Sequence, residues 1–236
     1  MRSKVDFLIV GAARSGTKYL YERSKEHPRA GMCTRKEMHF FDYEYARGLR
    51  WYLSHFPAAG IAGEASVDYM FHPLAAYRIA RTFPNVKIVV VLRNPIDRAY
   101  SHWALFRRER KEALRSFRAA INVEGKRTSS HFRRYSYLSR GLYADQLYRL
   151  HSLFPHENVM VLRSETLFDR PAETLNRFWS FVGLGPHVLP PRSLVKNAHK
   201  GIYNPMDAKT RQFLAEFFRE PNARLEAMLG RRMDWK

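Results

Sequence analysis

The residues whose types and spacing first suggest chemistry are Gly11-Ala12-Ala13-Arg14-Ser15-Gly16-Thr17-Lys18, directly after an apolar run over 5–10. A buried strand, a glycine-containing turn and a helix start make an anion site, because the turn's N–H groups and the helix N-terminus point at the bound group. The spacing nearly matches the nucleotide-binding pattern G-x-x-x-x-G-K-[S/T], but Thr17-Lys18 puts the hydroxyl and the lysine in swapped order. A kinase or ATPase also needs a metal-holding carboxylate at the end of a neighbouring strand. The candidate neighbour, 86–92, ends in Arg93, which repels Mg²⁺ and attracts a second phosphate. Ser101 follows on the helix beyond it. These residues read as two separate anion sites that use no metal, suited to a nucleotide with phosphates at both ends of its ribose.

Positioning such residues requires parallel strands joined by helices. The run 5–10 reads as a buried parallel strand, and the helix from Gly16 to about Glu26 stops before Pro28. Further strands are expected at 61–65, 86–92 and 159–162. Asn94 as N-cap, Pro95 at the first helical position and Asp97 in the first turn predict a strong helix start. Residues 107–118 mix both charges and read as a solvated helix face, whereas 125–140 reads as a basic, aromatic surface loop. Tyr143, Leu147, Leu150 and Phe154 recur at helical spacing, Pro171 opens a helix closed by Gly183, and two final helices are expected on either side of Pro221. The fold class is therefore α/β: a P-loop-like fold with a central parallel sheet and helices on both faces, in a single domain over 1–236. The Gly11–Lys18 turn falls at the C-terminal edge of the sheet, where such folds bind ligands.

Composition bounds the partners. With 45% hydrophobic and 14% aromatic residues among 236, the chain can fill a core without staples. Cys33 is its single cysteine, which excludes an intrachain disulfide and a cysteine metal cluster and favours a reducing compartment. No run approaches a membrane span and the first residues do not read as a signal peptide, so a cytoplasmic location is expected. A formal charge of +19 favours polyanions, anionic lipid surfaces or highly charged small molecules without choosing among them.

Several segments together resemble sulfotransferases that use 3′-phosphoadenosine 5′-phosphosulfate (PAPS). Arg14-Ser15-Gly16-Thr17-Lys18 is similar to their 5′-phosphosulfate loop, and the segment from Leu92-Arg93 to Ser101 to their 3′-phosphate motif. Lys36-Glu37-Met38-His39-Phe40-Phe41-Asp42 resembles a segment of the heparan sulfate N- and O-sulfotransferases, and Gly63-Glu64-Ala65-Ser66-Val67-Asp68-Tyr69 takes the place of another. Arg140-Gly141-Leu142-Tyr143 and Lys200-Gly201-Ile202-Tyr203 also fall in register.

The resemblance implies sulfuryl transfer from PAPS, leaving adenosine 3′,5′-bisphosphate (PAP), to a hydroxyl of a glycan, glycolipid or secondary metabolite. It implies that Ser15, Gly16, Thr17 and Lys18 hold the 5′-phosphosulfate and that Arg14 neutralises the leaving phosphate. Arg93 and Ser101 take the 3′-phosphate, Tyr143 lies near the nucleotide, and Lys200-Gly201 closes over the phosphates. Glu37 matches the general base, with Asp68 as the substitute candidate. Lys36, His39, Glu64, Ser66 and Asp68 are candidate acceptor contacts. Other roles stay open: Glu37 pairing with Lys36 or Arg35, His39 as a packed residue, and Glu64 orienting the acceptor or Arg14 or closing its strand with an ion pair. Glu37, His39 and Asp42 could suggest a metal, but no further ligand set supports one.

The chain departs from the heparan enzymes at Arg14, usually lysine there, and at Ala65, which replaces a substrate-contacting lysine. The tyrosylprotein sulfotransferases carry arginine at the first position. Two rival readings are a phosphotransferase with an atypical P-loop and, from charge alone, a nucleic-acid-binding module, although no nucleic-acid partner is expected. Peripheral contact with an anionic surface is compatible with the charge.

Overall fold

Every position of the first strand, β1 (Phe7–Gly11), is buried, as a central parallel strand covered on both faces requires. The remaining elements, in chain order, are α1 (Thr17–Lys25), β2 (Ala30–Met32), α2 (Gly48–Leu53), β3 (Ile61–Ala65), α3 (Ala75–Thr82), β4 (Lys87–Leu92), α4 (Pro95–Arg108), α5 (Phe117–Asn122), α6 (Tyr143–His151), β5 (Val159–Arg163), α7 (Ser164–Asp169), α8 (Pro171–Phe181) and α9 (Ala208–Leu229). The computed structural model describes residues 3–127, 134–190 and 205–235. These group into one unit of Met1–Leu92 with Leu147–Ala198 and a second of Arg93–Gln146 with His199–Lys236.

In the first unit five strands form a parallel sheet in the order β2-β3-β1-β4-β5. Phe7 and Ile9 of β1 and Val89 and Val91 of β4 pack with Leu20 of α1 and Leu175, Phe178 and Trp179 of α8. Leu8, Val10, Ile88 and Val90 alternate with them and are equally buried on the other face. Phe7 stands opposite Gly63 of β3. A Cβ at Gly63 would overlap the Phe7 ring, so the glycine makes room for an aromatic on the neighbouring strand.

In the second unit α4 starts as its sequence dictates, with Asn94 Oδ1 accepting from Ile96 N at 3.0 Å and Pro95 in the first turn. Ile96 and Ala99 of α4, Phe117, Ala120 and Ile121 of α5, Tyr137, and Leu214 and Phe218 of α9 make its core. Among the described residues no helix is long and apolar enough to cross a membrane.

Three expectations need correction. Residues 107–118 are not one helix: α4 ends at Arg108, and Ser116 caps α5 by accepting from Ala119 N. The described part of 125–140 is only partly a surface loop: Gly125, Lys126 and Arg134 are exposed, but Ser136, Tyr137 and Arg140 are buried. Glu124 holds it down by accepting from Leu138 N, Ser139 N and Ser139 Oγ. Pro221 does not separate two helices but lies within α9, where the neighbouring Arg219 and Glu220 are exposed and water can replace the forfeited ladder bond. The edge strand β2 was not expected at all.

Candidate active site

β1 delivers the chain to the anion loop, and backbone bonds fix the loop's start. Ala12 N donates to Val91 O at 2.8 Å and Met70 N donates to Val10 O at 2.9 Å. Arg14 and Gly16 both have left-handed backbone, φ 70° and 101°. At Gly16 a Cβ would also approach the Phe168 ring to 3.0 Å, so glycine is needed for conformation and for space. α1 begins at once, with no side-chain cap at Gly16 and no acidic residue in its first turn. Its first N–H groups and the positive end of its dipole are therefore offered to an anion. Ser15 Oγ is buried with no hydrogen-bond partner among the described residues, and Thr17 is buried, whereas Lys18 is exposed. An orphaned hydroxyl beside an uncapped helix start fits a phosphate or phosphosulfate group.

A second cluster is built by the turn that follows β2. Glu37 and His39 have left-handed backbone, φ 60° and 56°. For non-glycine residues this costs about 1–2 kcal/mol each. Burial of Phe40 and Phe41, worth about 2 kcal/mol or more each, offsets that cost. Phe40 stacks on Tyr52 with centroids 4.5 Å apart, and Phe41 meets Tyr69 edge-on at 5.5 Å. Polar bonds then join the turn to the end of β3. Glu37 N donates to Ala65 O at 2.8 Å, His39 N to Ser66 Oγ at 3.1 Å, and Phe40 N to the Tyr69 hydroxyl at 2.9 Å. In return Val67 N donates to Glu37 Oε2 at 3.0 Å.

The turn presents a row of ionisable groups. Lys36 pairs with Glu37 Oε1. His39 Nε2 lies 3.9 Å from Glu37 Oε2, and its Nδ1 lies 2.9 Å from Asp42 Oδ2. Tyr43 donates its hydroxyl proton to Asp68 Oδ2 at 3.1 Å. Burial disfavours the charged His39 ring, but the hydrogen bond and charge of Asp42, with the charges of Asp68 and Glu37, outweigh it and raise its pKa. One ligand atom from each of His39, Asp42 and Asp68 lies within 4.8 Å of the others.

Glu64 and Ser66 are both fully buried, so they face the protein interior rather than an acceptor. Tyr52 donates to Glu64 Oε2 at 2.9 Å, and Ser66 Oγ donates to Glu64 Oε1. Burial pushes the Glu64 pKa up to about 7, against the hydroxyl hydrogen bonds of Ser66, Tyr52 and Tyr69, with the Glu37 charge adding to the rise.

In the second unit Arg93 is half-buried and Ser101 is buried. The Tyr143 hydroxyl donates to Arg93 O at 3.0 Å, which fixes the backbone that carries this arginine. Lys200 and Gly201 lie outside the described residues. Two residues that support the second cluster were not among the site residues expected from the sequence. Asp42 had a signal, the i,i+3 spacing from His39; Tyr52 had none, because only the packing of α2 brings it to Glu64.

A family model described as a sulfotransferase domain matches residues 4–221. Human bifunctional heparan sulfate N-deacetylase/N-sulfotransferase 3 is 29% identical over 94% of this chain, and the chain spans only 29% of that protein. Human heparan sulfate glucosamine 3-O-sulfotransferase 6 is 34% identical over 83% of the chain and 56% of its own length. Among solved structures, a sulfotransferase from Alicyclobacillus acidocaldarius superposes with a TM-score of 0.87 at 31% identity, covering 98% of this chain and 97% of that one. A mouse sulfotransferase solved with PAP shares the fold alone, with a TM-score of 0.61 at 16% identity over 92% of this chain and 83% of its own. The motif order, the parallel sheet and the family match agree, and the chain belongs to the sulfotransferase family.

Proposed function

We propose that this protein transfers a sulfuryl group from PAPS to a hydroxyl or amine of a glycan-type acceptor. The observation that carries the reading is the anion loop, in which the uncapped start of α1 and a buried Ser15 hydroxyl with no partner among the described residues follow Arg14. Ser15, Gly16, Thr17 and Lys18 hold the 5′-phosphosulfate, and Arg93 and Ser101 hold the 3′-phosphate, as the motif resemblance implies. Arg14 offsets the charge that grows on the bridging oxygen as the S–O bond breaks. Glu37 removes the proton from the acceptor as its oxygen or nitrogen attacks sulfur in line. His39, held by Asp42, lies close enough to Glu37 to share in orienting that proton transfer. The heparan sulfate enzymes among the relatives and the charge of +19 support an anionic glycan as acceptor.

The test is a thermal-shift panel followed by turnover. PAP should raise the melting temperature where ATP with Mg²⁺ does not, and Arg93→Ala should abolish most of the PAP shift. Glu37→Gln should keep the PAP shift and lose sulfuryl transfer to an unsulfated heparan-type oligosaccharide, by roughly 100-fold or more. A shift with ATP–Mg²⁺ and none with PAP would replace this reading with phosphoryl transfer.

A further inference from the structure

Glu64 lies where a carboxylate is costly: wholly buried and, among the described residues, hydrogen-bonded by hydroxyls. It cannot touch an acceptor. Its contacts run instead towards Glu37. The Ser66 hydroxyl that donates to Glu64 is the one that accepts the His39 amide, and a hydroxyl's single proton fixes which way its lone pairs face. With its proton committed to Glu64, Ser66 presents a lone pair to His39 N. The Tyr69 hydroxyl, which interacts with the same carboxylate, accepts the next amide, Phe40 N, at 2.9 Å. Tyr52 holds the other Glu64 oxygen and stacks on Phe40. Thus the His39 and Phe40 amides of this turn are received by two hydroxyls that contact Glu64.

We propose that Glu64 is a positioning residue for the transfer reaction, locking the left-handed Glu37–His39 turn through Ser66 and Tyr69 so that the Glu37 carboxylate stays aimed at the acceptor. The inference rests on the reading of Glu37 as the base. It explains why an acid is placed at the end of β3: glutamine replaces one of the two acceptor oxygens with an NH₂ donor, so a hydroxyl loses its acceptor and is free to turn away from its amide.

The experiment follows amide hydrogen exchange at residues 37–40, the PAP thermal shift and PAPS turnover in wild type, Glu64→Gln, Ser66→Ala and the double variant. In Glu64→Gln the His39 and Phe40 amides should exchange roughly tenfold faster or more, the PAP shift should match wild type, and kcat should fall roughly 10- to 100-fold at an unchanged KM for PAPS. At the His39 amide the double variant should exchange no faster than Ser66→Ala alone, because Glu64 acts there through that hydroxyl. Unchanged exchange at 37–40 in Glu64→Gln, multiplying effects at His39 in the double variant, or faster exchange spread evenly over the first unit would each overturn the proposal. Tyr52→Phe removes one contact to Glu64 and keeps the ring stack; if Glu64→Gln does not fold, a smaller acceleration at the same two amides is expected from it, and none overturns the proposal. Glu37→Gln separates the two readings. Wild-type turnover in that variant removes the base assignment itself, whereas an inactive Glu37→Gln beside a wild-type-like Glu64→Gln removes only the role of Glu64.

Discussion

Replacing Glu64 by glutamine should alter how stability depends on pH. In the folded protein burial lifts the Glu64 carboxyl to about 7 from a reference of 4.5, despite the hydrogen bonds from Ser66, Tyr52 and Tyr69. A raised pKa means the folded state binds the proton more tightly than the unfolded chain does. The contribution is therefore fully present below pH 4.5 and is lost as pH rises through about 7. Each pKa unit is worth about 1.4 kcal/mol, so the wild type should lose about 3 kcal/mol from this group over that window. Glutamine does not titrate. The stability of Glu64→Gln minus that of wild type, from urea unfolding between pH 4.5 and 8, should rise by about 3 kcal/mol whatever its sign at the acid end. Taking the difference cancels the titration of groups the substitution does not touch. A difference that stays flat within about 0.5 kcal/mol, or that falls, refutes the argument that burial raises the pKa of this carboxylate.

Two further predictions come from the packing and the charge row. Gly63→Ala places a methyl group in the Phe7 ring, which is buried and held edge-on by Phe178 at 5.7 Å, so the substitution should destabilise by about 1–3 kcal/mol in urea unfolding. A loss under about 0.5 kcal/mol would mean that Phe7 has room to move. Asp42→Asn removes both the hydrogen-bonded charge and the strongest attraction on the His39 ring, leaving Asp68 and Glu37 to oppose burial; the His39 pKa, followed by NMR titration of its ring protons, should drop. An unmoved titration would show that Asp42 does not set the charge of that ring.

Much of the sheet was legible because parallel strands buried on both faces leave apolar runs. The expected strands at 5–10, 61–65, 86–92 and 159–162 correspond to β1, β3, β4 and β5. β2 escaped because it is a three-residue edge strand containing Gly31, too short for any period to register. The start of α4 was readable from Asn94-Pro95 since capping is local chemistry. Ser136, Tyr137 and Arg140 are buried where a surface loop was expected, in a segment tied down by Glu124, whose charge suggests solvent until its three bonds to Leu138 and Ser139 are known.

The same limit governs the site. Sequence could bring Glu37, His39 and Asp42 onto one short segment, but not say that the turn runs left-handed twice or that β3 ends on a buried acid beneath it. Glutamate is almost never fully buried, and none of the roles open to Glu64 in the sequence (acceptor contact, orienting Arg14, a strand-closing ion pair) is a buried carboxylate held by hydroxyls. For Glu37 the sequence set a surface pair with Lys36 against a catalytic base, as if one excluded the other. A carboxylate has about four lone-pair sites. Lys36 engages Oε1 and Val67 N takes one site on Oε2, which leaves capacity on both oxygens. The ion pair and the amide together aim the carboxylate without filling it, so a pair with Lys36 and a role as base are compatible.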